Sequence, residues 1–188
     1  MGTSVSQRSP DTLNWRAAQA TYEDSGIPID RVLQEVWRAA TSQDGEAFRA
    51  MLNEPIVYRL RDIAINARTP GEAARLASRA IAESKQTSLV ADIALRAAVQ
   101  SAASTTKAQA YSERLFAEAS NYLLSRDLPG FVGTGRNSTV AESVRFKASV
   151  LHAASEAVRQ VGIPKTSTPG AWQKHAADVV NRLRGKTR

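Results

Sequence analysis

Apolar residues recur at helical spacing along almost the whole chain, and polar residues fill the positions between them. Val32, Leu33, Val36, Trp37 and Ala40 share one stripe of a segment from about Asp30 to Thr41, closed by Asp44-Gly45. Before it, Trp15, Ala18 and Tyr22 mark a short helix ending near Ser25-Gly26. After it, Phe48, Met51 and Leu52 form a brief helical face. Ile56, Leu60, Ile63 and Ala67 repeat in the same way behind Asn53, read as an N-cap, and Pro55, read as an early helical proline. Thr69-Pro70-Gly71-Glu72 carries the residues of a capping box and opens a helix bearing Ala73, Leu76, Ala77, Ala80 and Ile81.

Two further periodic segments follow. One runs from about Ser88 to Ala103 with Leu89, Ile93 and Val99. The other, capped by Ser104 or Thr105, reaches Ser125 with Tyr111, Leu115, Ala119 and Tyr122 in register. The many alanines let such helices approach closely. Thr139 to Val161 predicts a helix of about 35 Å at 1.5 Å per residue, ended by Gly162-Ile163-Pro164. Thr168-Pro169-Gly170 opens a last helix with Trp172, Ala176, Val179 and Leu183 inward and Lys174, Asn181 and Arg182 elsewhere. No two-residue hairpin turn stands between alternating segments. The expectation is an all-α bundle of about seven to eight helices, with Trp15, Trp37 and Trp172 in its core.

Charge divides the chain where the helical pattern pauses. Residues 1–135 hold 15 basic and 15 acidic side chains; the last 53 residues hold ten basic against three acidic and carry the whole net charge of +7. The break coincides with residues 128–138, Leu-Pro-Gly-Phe-Val-Gly-Thr-Gly-Arg-Asn-Ser, a glycine-rich loop. The predicted organisation is therefore a disordered tail over 1–10, a neutral helical bundle over 11–127, the loop over 128–138, and a basic helical hairpin over 139–188 packed on the bundle.

Segregated positive charge points to anionic partners, because neutralising phosphates releases their counterions. The loop adds to this by delivering glycines, hydroxyls and Arg136 to a helix N-terminus, where free N–H groups and the helix dipole favour an anion. Its spacing is that of neither a P-loop nor a dinucleotide-binding turn. On the long helix Glu142, Arg145, Ser149, His152, Glu156 and Arg159 lie on one polar stripe. Lys147 stands apart, among Val140, Val144, Val150, Leu151, Ala154 and Val158, and is expected to extend its ammonium outward.

The expected nucleic-acid contacts are thus Arg136, Asn137, Ser138, Arg145, Lys147, Ser149, His152, Arg159, Lys165, Lys174, Arg182 and Arg184, made to phosphates without base readout. DNA and RNA are equally open. The alternative expectation is a helical scaffold that receives a partner protein on its neutral bundle while the basic end meets an acidic protein surface.

Enzyme chemistry has little to draw on. The chain has no cysteine, and its two histidines, His152 and His175, have no carboxylate cluster at ligand spacing around them, so neither a metal nor a cofactor is expected. Ser149 and His152 are spaced as a possible couple but lack an orienting group. No apolar window is long enough to span a membrane and Met1–Pro10 lacks a signal-peptide pattern, so a cytoplasmic location is expected. Met1-Gly2 with Ser6 matches the short N-myristoylation pattern, which recurs often by chance.

Overall fold

The computed structural model describes residues 12–41, 52–85, 88–127, 139–165 and 168–185. Among these residues there are eight α-helices and no strand: α1 (Thr12–Glu23), α2 (Ile29–Ala40), α3 (Pro55–Asn66), α4 (Pro70–Ser84), α5 (Leu89–Ser101), α6 (Lys107–Asp127), α7 (Val140–Val161) and α8 (Pro169–Leu183). The expected tail, the face at Phe48 and Met51, the loop 128–138 and the side chain of Trp15 lie outside the described residues.

Helix starts follow capping chemistry. The side chains of Thr69, Ser88 and Thr168 accept from the N–H groups of Glu72, Ala91 and Ala171, each three residues on. Pro55, Pro70 and Pro169 occupy the first helical positions, where no N–H is needed. Two starts differ in detail from the sequence expectation. The N-cap of α3 is Glu54, not Asn53, because extended backbone at Glu54 brings Pro55 directly into the first turn; the Glu54 carboxylate accepts from Ser88 Oγ at 3.1 Å. At α4 the Glu72 carboxylate returns to the Arg68 N–H (2.8 Å), one residue before the cap.

Helix α6 sits at the centre, packed against α2, α3, α5 and α7, and α8 closes the bundle against α7, α2 and α3. Trp37 of α2 meets Phe116 of α6 at 6.2 Å between ring centres, and its Nε1 donates to Ser120 Oγ at 2.9 Å. Tyr111 of α6 donates to the Val57 carbonyl of α3 (2.7 Å) and lies against Trp172 of α8 (6.0 Å). Tyr22 of α1 stands edge-on to Phe146 of α7 at 5.7 Å. One cluster of buried side chains, from Ala18 to Leu183, joins all eight helices, and the alanine-rich faces of α4 and α5 allow the close approach their spacing implies.

Candidate nucleic-acid interface

Helix α7 is set by a complete capping box. Thr139 Oγ1 accepts from the Glu142 N–H at 3.2 Å and the Glu142 carboxylate accepts from the Thr139 N–H at 2.9 Å. Gly162 ends the helix with φ +78°, a conformation that costs glycine least. The buried stripe is Phe146, Val150, Ala154, Ala157 and Val158. It keeps Val150, Ala154 and Val158 of the apolar arc expected from sequence and departs from it in the early turns. Val140 and Val144, counted there as inward, are 83% and 63% exposed. Phe146 takes the inward position in the early turns because its ring fits against Tyr22.

The polar stripe faces outward, and Arg145, His152, Glu156 and Arg159 are exposed. Arg136, Asn137 and Ser138 lie outside the described residues. The Ser149 hydroxyl is spent on its own helix, donating to the Arg145 carbonyl at 3.0 Å. Arg159 pairs with Glu113 of α6 (3.3 Å) and Glu156 (3.8 Å). Lys174 pairs with Asp178 at 2.6 Å. Arg182 donates to the amide oxygen of Gln160, a neutral partner, and no ion pair among the described residues involves it. The carbonyl of Arg184 accepts from Arg38 Nε at 2.9 Å, which ties the end of α8 to α2.

Lys165 is exposed on the turn between α7 and α8, at the opposite end of the long helix from Arg145, on the order of 25 Å away. The structure therefore arranges these cations as a line along α7 and α8 and not as one patch. Lys147 is exposed, as expected, but it borders a cleft of about 630 Å³ between α5, α6 and α7. Asp92, Arg96, Glu118, Asn121 and Tyr122 line the same cleft. A smaller cleft of about 230 Å³ lies between α2, α7 and α8, beside Gln34, Gln160 and Arg182.

The sequence pairing of Ser149 with His152 does not form, yet another serine and histidine do meet. Ser112 Oγ of α6 lies 2.7 Å from Nε2 of His175 on α8, 63 residues away. Nothing in local spacing announces it. Ser112 is 0% and His175 3% exposed, so no substrate reaches the couple. Burial pushes the His175 pKa down to about 4; the Gly162 backbone opposes this, the buried Arg61 guanidinium reinforces it, and Asp178 opposes it. The ring is neutral at pH 7 and serves packing, 5.5 Å from Trp172.

Among the described residues no three histidine, aspartate or glutamate side chains converge as a metal site requires, and no helix is long and apolar enough to cross a membrane. Comparison with protein-family models, with curated proteins and with solved structures found no match to this chain.

Proposed function

We propose that this chain is a non-enzymatic nucleic-acid-binding protein that grips the phosphate backbone of DNA or RNA along α7 and the α7–α8 turn, within a larger nucleoprotein assembly. One observation carries the reading. Each acidic residue of the last 53 is engaged locally: Glu142 in the capping box, Glu156 with Arg159 and Gln160, and Asp178 with Lys174. Arg145 and Lys147 on α7 and Lys165 on the turn are exposed, and no ion pair among the described residues involves them. Three of the cations that make up the excess are thus presented outward, two on α7 and one on the turn after it, which suits phosphate contacts that position without reading sequence.

Point substitutions test this better than truncation, because cutting before α7 would remove Phe146, Val150 and Trp172 from the core. Binding of labelled single- and double-stranded oligonucleotides is measured at 50 and 200 mM salt for the native chain and for Arg145→Ala/Lys147→Ala/Lys165→Ala. The native chain should bind with steep salt dependence, and the triple variant should lose about 0.9 from the log–log slope for each phosphate contact removed. Equal slopes, or no binding at low salt, would overturn the proposal.

A second reading rests on Val140 and Val144, whose exposure on α7 suits a protein partner whose acidic surface meets the same cations. It predicts only mild salt dependence.

A further inference from the structure

The cleft between α5, α6 and α7 is lined by charges of both signs. Asp92 of α5 and Glu118 of α6 offer carboxylates, while Arg96 of α5 and Lys147 of α7 offer cations. None of the four is in an ion pair among the described residues, although they border one space of about 630 Å³. Asp92 and Arg96 stand one turn apart on α5 without pairing, and Glu118 and Lys147 stand on different helices, so all four side chains reach the cleft with their charges available. Half-buried Tyr122 and the partly buried Leu89 give the same cleft an apolar side. The volume lies within the range of small-ligand sites.

A ligand that satisfies this arrangement has an anionic end, a flat apolar body and hydrogen-bond donors on the far edge. Resting on the nucleic-acid reading above, we infer that the cleft receives one unpaired nucleotide of a single strand, its phosphate at Arg96 and Lys147 and its base beside Tyr122. Carboxylates only accept hydrogen bonds. Asp92 and Glu118 therefore select bases that present an exocyclic amine, as cytosine does at N4, over uracil or thymine, which present a carbonyl there. Asn121, which also lines the cleft, has a terminal amide with one buried oxygen and no partner for it, so turning the amide costs no hydrogen bond at that oxygen. Lys147 links the two surfaces: it belongs to the phosphate-gripping helix and to the cleft.

The test uses the full chain with CMP and UMP, followed by calorimetry at 50 mM salt, alongside single-stranded oligo(dC), single-stranded oligo(dT) and a duplex. CMP should bind about tenfold more tightly than UMP. Glu118→Gln, whose amide can also donate, should bring that ratio close to one, and Tyr122→Leu should weaken both by about tenfold. The glutamate variant keeps the test decisive should the tyrosine variant lose its fold. Salt-sensitive oligonucleotide binding with CMP and UMP indistinguishable, or both unbound, overturns the cleft assignment and leaves the backbone grip standing. No binding of any oligonucleotide overturns both.

Discussion

The two sides of α6 treat polar residues in opposite ways. On one side Ser112 and Ser120 are completely buried, yet each has a partner from a distant helix: His175 for the first and Trp37 for the second. Ser120 also donates to the Phe116 carbonyl at 2.7 Å. On the other side Glu118, Asn121, Tyr122 and Ser125 border an open cleft. Burial explains the contrast. Where α2, α3 and α8 cover α6, an unpaired hydroxyl would be expensive, so each is matched; on the cleft side no ion pair among the described residues engages Glu118, and the Asn121 oxygen has no hydrogen-bond partner. Polar residues on a central helix thus divide into those matched within the core and those that border open space.

Substitutions on the two sides should separate cleanly. The largest effect belongs to Trp37→Ala, which empties the space beside Phe116 and removes the partner of Ser120; urea denaturation should show a loss of about 4 kcal/mol. A loss near zero would mean that α2 does not pack on α6 as described. Acid should come next. His175 is held neutral in the fold down to about pH 4, while the unfolded chain takes up its proton near pH 6.5, so the unfolded state binds more protons between these values. Stability should fall as pH drops through that window by about 3 kcal/mol, beyond what the carboxylates contribute, and level off for this group below pH 4. His175→Gln, denatured in parallel, should lack that component; identical pH profiles would remove His175 from the sealed side.

Ser112→Ala should cost about 2 kcal/mol by leaving Nε2 of His175 without a partner in the core. A neutral result would mean that water reaches the ring. The smallest effect is expected across the helix, where Glu118→Gln should change stability by less than about 0.5 kcal/mol, since no ion pair among the described residues is lost. A clear destabilisation there would show that the cleft wall is structural after all.

Helical periodicity and caps carried most of the architecture. Thr69, Ser88, Thr139 and Thr168 each begin a helix, Gly162 ends one, and Trp37 and Trp172 are buried, all of which depends on residues close in sequence. What local pattern could not supply was which residue α7 buries in its early turns. Val140 and Val144 look inward on a helical wheel, but whether a valine in an early turn is covered depends on a neighbour, and Tyr22, more than a hundred residues earlier, selects Phe146 instead. The proposed interface was legible as composition and only partly as geometry. Arg145 and Lys165 were placed at the surface, whereas the engagement of Arg159 by Glu113 required α6 alongside α7. The cleft at Lys147 and the contact of Ser112 with His175 join helices far apart in the chain, and no spacing rule anticipates either.

The hydrogen bond from Arg38 to the carbonyl of Arg184 spans 146 residues, and that from Trp172 to the Leu52 carbonyl spans 120. On a ribosome adding about 5–20 residues per second, α2 leaves the exit tunnel roughly ten seconds before its final neighbour exists. Until α8 arrives, the α2 and α3 surfaces that it will cover must remain open in the crowded cell. Birth of this molecule therefore includes an interval in which apolar surface on its early helices waits for a cover made last.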